Sequence, residues 1–468
     1  MSQEQTKASP DLIYGVEDRP PIGSAIFGGL QHVLASFVGI ITPSLIIGGV
    51  LGLGEHIPYL ISMALMVSGI GTLIHAIRVG PLGTGLICVQ GTSFAFLGSV
   101  LAAGFAVKAA GGGPEEILAT IFAVCFIAAF VEIFLSFFVE KLGGILTPLV
   151  TGIVITTIGI SLIRVGITDI GGGQWLLNNK PELFGSLKNL GIGAAVLLTV
   201  IAMNRSNNPW FRITSIVVGM IVGVAVAWAL GVFNFEWKEV PLLAVPVPFK
   251  FGFSPDWGAV IAIGVLYCIT AIETAGDITA NLTISGLPVK GPSYVDRIRR
   301  GVLTDGIASA LAAVFNSFPT TTFSQNNGVI QLTGIASRYV GIFIGLILIC
   351  LGLFPVIGMI MRQIPNPVLG GATLIMFGTV AAAGIRILSK VDMNRRTMLI
   401  MAVSFGLGLG QALRPELFGQ MPKFFQAIFS NPIPMAGISA IVLTLIIPKT
   451  DAEKAKEQAE IDGLDTAL

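Results

Sequence analysis

Thr320-Thr-Thr-Phe-Ser-Gln-Asn-Asn-Gly-Val-Ile-Gln-Leu-Thr-Gly334 is rich in hydroxyls and amides, yet apolar runs flank it on both sides. Pro319 precedes it, and Gly328 and Gly334 interrupt it. Hydrocarbon cannot satisfy such side chains, nor an irregular backbone. The stretch makes physical sense as a broken membrane helix that lines a cavity. Paired breaks at matching places in two halves of a chain point to a transporter binding site. The plainer alternative is an extramembrane loop, and the surrounding sequence argues against it.

Of the 468 residues, 11% are charged, against about 25% in soluble proteins. Mean hydropathy is +0.86. This is the composition of an all-α polytopic membrane protein whose main partner is the lipid bilayer. A net charge of +1 offers no electrostatic footprint for nucleic acid. Cys88, Cys125, Cys268 and Cys350 are widely spaced and have no metal-binding pattern. No metal or cofactor is expected.

At about 20 apolar residues per span, the chain divides into about fourteen segments. The first is Ile22–Val50 and the last Phe424–Ile447. With a cytoplasmic N-terminus, the densest basic clusters, Arg297–Arg300 and Lys390–Arg396, face inward. Lys108 and Arg362 then face outward. The fifth segment carries Pro148, Gly152 and Gly159, and the twelfth carries Pro367, Gly371 and Gly378 at the same spacing. Seven spans per half is an odd number, so two such halves insert in opposite senses. That is a 7+7 inverted repeat.

The repeat makes the third segment the partner of the tenth. It reads Gly80-Pro-Leu-Gly-Thr-Gly-Leu-Ile-Cys-Val-Gln-Gly-Thr-Ser-Phe94, and it is broken and polar as well. Leu86–Gln90 and Thr320–Phe323 are expected to be short extended stretches. They lead into half-helices starting near Ser93 and Ser324, whose N–H groups would face a ligand at mid-membrane.

Acids are scarce in most spans. Glu273 and Asp277 stand four residues apart, on one helix face. Asp305 begins the next span. Intramembrane acids usually face a cavity and mark substrate or proton pathways; the plainer role is as struts for the broken helices. His32, after Gln31 in the first span, reads equally as a titrating group or a structural one. His75 and Glu132, near span ends, read as structural. Phe94 either stacks on a planar ligand or simply packs. A membrane-embedded enzyme would need a nucleophile–base or metal constellation. Three histidines, with no His-x-x-x-His, do not provide one. An anion transporter would want a cation at the breaks, and 83–96 and 318–334 contain no Lys or Arg.

These residues resemble the nucleobase–ascorbate transporter family, most closely its bacterial xanthine permeases. The family signature, Gln/Glu/Pro-Asn-x-Gly-x4-Thr-Arg/Lys/Gly, stands complete at Gln325–Gly334. Glu-x-x-Gly-Asp-Ile-Thr at Glu273–Thr279 and Gln31-His32 match two further motifs. Glu17-Asp-Arg-Pro-Pro21, Gln90-Gly-Thr-Ser-Phe94, Ala336-Ser-Arg-Tyr-Val-Gly341 and Gly370-Gly-Ala-Thr-Leu374 also agree. Ser93 departs from the asparagine of some xanthine permeases, at a position linked with purine selectivity, which leaves xanthine and urate both open.

The resemblance implies a homodimeric proton symporter for a purine in the bacterial inner membrane. It implies a core domain (22–139 and 256–361) moving against a gate domain (140–235 and 362–447), with cytoplasmic tails at 1–21 and 448–468. Glu273, Gln325, Phe94, Ser93 and Asn326 are expected at the substrate. Asp305, Asp277 and His32 are expected to couple protons or support the site.

Overall fold

Proline opens many of the helices. It occupies the first turn, where its missing N–H costs nothing and its fixed φ suits a helix. The computed structural model describes residues 12–139, 147–418, 420–421, 426, 429 and 431–448. Residues 1–11 of the expected first tail, and all of the second beyond Pro448, lie outside the described residues. In the first half, α1 (Ile22–Leu51), α2 (Ile57–Ile77), α3 (Leu97–Ala109), α4 (Pro114–Ser136) and α5 (Pro148–Ile170) are followed by the short α6 (Gln174–Asn179), then α7 (Leu187–Asn204) and α8 (Pro209–Ala229). The second half contains α9 (Trp257–Ile284), α10 (Pro292–Val314), α11 (Ser324–Thr333), α12 (Arg338–Gly352), α13 (Pro355–Arg362), α14 (Asn366–Leu388), α15 (Arg395–Leu413) and α16 (Pro432–Ile446).

Nine helices among the described residues are long and apolar enough to cross a membrane, or ten if α12 and α13, bent by 73°, form one broken span. That is fewer than the fourteen apolar segments expected. The shortfall has physical causes: α3 and α16 are short, α11 is half a span, and α10 carries the arginines of 297–300.

Packing falls into two groups. The most extensive contacts in one join α2 to α12 and α4 to α10; in the other, α5 to α14 and α7 to α8. α5 and α14 run antiparallel at close range. A Cβ on Gly159 would lie 2.3 Å from the Ala381 nitrogen, and one on Gly384 would lie 2.4 Å from that of Thr156. Small residues let membrane helices approach this closely. The glycines matched by spacing are not matched by contact: Gly152 faces Leu388, whereas Gly371 faces Val196 and Gly378 meets open space.

Two three-residue strands lie within this helical body. β1 (Gln90–Thr92) pairs antiparallel with β2 (Thr320–Thr322), with Gly91 opposite Thr321. Ser93 N–H to the Pro319 carbonyl, 2.8 Å, and Phe323 N–H to the Val89 carbonyl, 2.9 Å, extend the ladder. The expected extended stretch at Leu86–Gln90 is therefore displaced: regular pairing begins only at Gln90. The Ile87 carbonyl is taken by the Asn281 amide at 2.8 Å, and Gly83 and Gly85 bend the approach with positive φ. The second stretch stands as expected: β2 covers Thr320–Thr322, and Phe323, the N-cap of α11, is still extended. Gly91 is dictated by Phe323, whose ring would lie 2.2 Å from an added Cβ.

Leu12–Arg19 docks on the far end of α11. Gly334, left-handed at φ +67°, closes that helix, and its carbonyl accepts the N–H groups of Ile13 and Tyr14 at 2.8 and 3.1 Å. Arg338 holds Glu17 at 2.7 Å.

Candidate functional site

The β1–β2 pair brings the two broken segments together, so that both half-helices start from one seam. On the first, Phe94–Phe96 forms a single 3-10 turn before α3, and Ser93 caps it by accepting the Ala95 N–H at 3.3 Å. The Phe94 ring meets Phe377 of α14 edge-on, with centroids 5.0 Å apart. On the second, α11 has no side-chain cap at all. The Asn326 N–H turns back to the Phe323 carbonyl at 3.1 Å; the N–H groups of Ser324 and Gln325 are among those a helix leaves without intrahelical partners.

α9 supplies the stripe that braces this seam. Its 3.6-residue turn stacks Glu273, Asp277 and Asn281 on one face. Asp277 accepts the Thr322 hydroxyl at 3.0 Å and the Ser324 hydroxyl at 2.5 Å, spanning the junction of β2 and α11. Asn281 donates to Asn327 Oδ1 at 3.1 Å as well as to Ile87, and Asn327 donates to the Asp277 carbonyl at 3.1 Å. Asn281 was not singled out from sequence. The available signal was its position, four residues beyond Asp277.

One turn before Asp277, Glu273 is 9% exposed. Its Oε2 is buried and has no hydrogen-bond partner among the described residues. Asp305 of α10 accepts the Thr274 hydroxyl, and Thr274 also approaches the Thr321 hydroxyl at 3.4 Å. Ser309 fixes β2 to α10, donating to the Thr320 carbonyl and accepting its N–H, both at 3.0 Å. His32 of α1 faces Asn326: the amide nitrogen lies 3.0 Å from His32 Nδ1 and donates to the His32 carbonyl at 3.2 Å. His75 performs the same service for the other break, meeting the Gln90 amide at 3.0 Å.

A cavity of about 460 Å³ opens between α9, α11 and α14, beside the start of α11, within the range of about 300–1,000 Å³ usual for small-molecule sites. Asp277, Ser324, Gln325, Asn327 and Gln331 form one wall. Thr379 and Arg386 of α14, with Lys390 just beyond its end, form the facing one. Of the residues singled out for substrate, Gln325 is in the lining, while Glu273, Asn326, Ser93 and Phe94 are not. Asp277 also lines it; Asp305 and His32 do not. At the opposite end of α14, a second cavity of about 390 Å³ lies between Thr42 of α1, Lys108 of α3, Asp169 of α5, Trp175 of α6 and Asn366 of α14. Among the described residues, no cluster of His, Cys, Asp and Glu has metal-binding geometry.

The chain was compared with known proteins. Residues 23–417 match the model of the permease family Xan_ur_permease. The xanthine permease XanP of Escherichia coli K12 is 44% identical over 447 residues, covering 95% of this chain and 96% of the relative. Xanthine permease XanQ of the same strain is 43% identical, covering 94% and 95%. The uric acid permease PucJ of Bacillus subtilis is 33% identical, covering 94% and 96%. Among solved structures, the transmembrane domain of the cyanobacterial bicarbonate transporter BicA has a TM-score of 0.54 at 16% identity, covering 92% of this chain and 99% of that one. Murine Slc26a9 in an inward-facing state has a TM-score of 0.60 at 12% identity, covering 92% and 69%. Those two likenesses concern the fold alone. The matched family and the curated relatives carry the conclusion: this chain belongs to the nucleobase–ascorbate transporter family and is a multi-pass permease of the bacterial inner membrane, not an enzyme.

Proposed function

We propose that the protein imports a purine, xanthine foremost, together with protons. The observation that carries this is the uncapped N-terminus of α11, which opens with Gln325 onto a cavity walled by Asp277. A planar purine dione offers ring N–H donors beside carbonyl acceptors. The Gln325 amide donates and accepts together, which suits one such edge. Glu273, with a buried and unpartnered oxygen one turn deeper, suits an N–H donor. A site built from such groups penalises a purine that lacks the matching partners. Phe94 completes the pocket once it leaves Phe377, with Ser93 capping the turn that carries it. Asn326 ties α11 to α1, and Asp305, Asp277 and His32 serve proton coupling and support.

The fold enters the mechanism through its two packing groups. A core of the first four and the eighth to eleventh segments moves as an elevator against a gate of the remaining six, within a fourteen-segment inverted repeat and a homodimer. The separate packing of α2–α12 and α4–α10 from α5–α14 supports that division. Lys390, from the basic cluster read as cytoplasmic, lines the first cavity and supports its opening to that side.

Urate is the second reading, favoured by Ser93 and by the likeness to a uric acid permease. The test is uptake of labelled xanthine, urate and uracil into cells, with and without a protonophore. Xanthine should accumulate and the protonophore should abolish accumulation. Accumulation that survives the protonophore would remove the coupling, and no purine uptake at all would remove the function.

A further inference from the structure

The two cavities share one gate helix. Asn366 lines one and Arg386 the other, about 30 Å apart at 1.5 Å per residue. Their chemistry matches. The inner cavity presents the amides of Gln325, Asn327 and Gln331, two cations (Arg386 and Lys390) and one carboxylate, Asp277. The outer presents the four amides of Gln174, Asn178, Asn179 and Asn366, two cations (Lys108 and Arg362) and one carboxylate, Asp169. It adds the indole of Trp175, which the inner cavity lacks.

We infer that the outer cavity is a second purine site, a vestibular one filled before the central site. Its walls come from α1, α2 and α3 of the proposed core and from α5, α6, α14 and Arg362, the last residue of α13, of the proposed gate. A molecule held there already lies on the seam between the proposed core and gate. The polar atoms left over fit a flat cyclic ureide. Gln174 and Asn366 donate their amide nitrogens to Asn178 Oδ1 (2.8 Å) and to the Gly172 carbonyl (3.0 Å), which leaves their side-chain oxygens to accept ring N–H groups. Lys108 donates to the Leu51 carbonyl at 3.1 Å and has further N–H groups to offer. No ion pair among the described residues engages Lys108, Arg362 or Asp169. On its other side Arg362 borders a small cavity with Glu55, Lys238 and Glu239. The two cations facing the vestibule suit purine carbonyls or the monoanion, and the indole offers a stacking face.

The inference rests on the purine reading above, and the experiment separates the two. Uptake by the full-length protein is measured in right-side-out and in inside-out vesicles, for the parent, Trp175→Ala, Trp175→Phe and Arg362→Gln. Trp175→Ala and Arg362→Gln should raise the KM for xanthine about three- to tenfold from the outer face only. Vmax and the KM from the inner face should hold, and Trp175→Phe should restore the outer KM. An outer KM within about twofold of the parent in both variants would overturn the vestibular site while leaving the function standing. Equal rises from both faces would overturn it as well, because the residues would then act through the central site or the fold. Absence of purine uptake by the parent would overturn both readings together.

Discussion

The two broken segments look alike in sequence and differ in the structure. Each has prolines and glycines, hydroxyls and an amide. In the first, most polar groups are consumed internally, although Gln90 Oε1 is buried without a hydrogen-bond partner among the described residues. Ser93 caps its own turn, Gln90 is held by His75 and by Thr72, whose hydroxyl accepts the Gln90 N–H at 3.0 Å, and Phe94 packs on Phe377. In the second, the helix start is left uncapped and faces a cavity, while Asp277, on the same cavity wall, braces it. The difference teaches that one break serves as a template. It fixes the register in which the other presents its donors. A binding site needs open polar groups, and these stay oriented when a neighbour whose own groups are largely satisfied holds them.

The most severe way to break that arrangement is at the contact between the halves. Gly91→Ala drives a Cβ into the Phe323 ring. Overpacking of this kind costs about 1–3 kcal/mol or more, here at the seam itself. Yield of folded protein and transport should both collapse, and a normal melting temperature would show that the seam yields more easily than its geometry suggests.

Next in size is the deep carboxyl. Glu273→Gln keeps shape and loses charge. One charge-assisted hydrogen bond is worth about 1.5–3 kcal/mol, or roughly ten- to over a hundredfold in affinity. Purine binding to purified protein should fall by that factor with folding intact. Asp305→Asn, by contrast, should leave binding measurable and stop net accumulation. If the two variants exchange these behaviours, the proton path runs through Glu273.

A smaller effect is expected on the open half alone. Gln325→Ala removes a neutral donor–acceptor pair in the cavity wall, worth about 0.5–1.5 kcal/mol per bond, or about two- to tenfold in purine affinity. Expression should not change, since no side-chain bond in the described structure depends on Gln325. Wild-type affinity in this variant would move the substrate away from α11.

The smallest effect belongs to the closed half. Ser93→Ala loses a cap worth about 1 kcal/mol and should lower the melting temperature slightly. The ratio of xanthine to urate uptake should move by no more than about threefold. A tenfold change in that ratio would show that Ser93 faces substrate during the cycle, and the asymmetry between the halves would vanish in the loaded state.

How far the site was legible follows from which contacts are local. The stripe of Glu273 and Asp277 could be read directly, because helical spacing places residues four apart on one face. The helices flanking the breaks were equally legible, because lipid demands long apolar runs. The boundaries of the first strand were missed by a few residues. Pairing depends on what lies opposite: Ile87 turns toward Asn281, and only from Gln90 onward does the chain meet the threonines of β2. The docking of residues 12–19 on Gly334 had no periodic signal, since single backbone bonds at a helix end leave no mark on composition.

The sequence by itself determined the membrane setting, the two polar breaks and the acids beside them. Each of these follows from local cost: an uncompensated polar group in hydrocarbon is expensive wherever it stands. Only the tertiary structure decided that Asp277 braces Thr322 and Ser324, that His32 takes Asn326, and that Phe94 meets Phe377. Hydroxyls, amides and carboxylates each accept many partners at nearly equal energy, and the choice among them was made by the packing of α1, α9, α10 and α14 around one pair of three-residue strands.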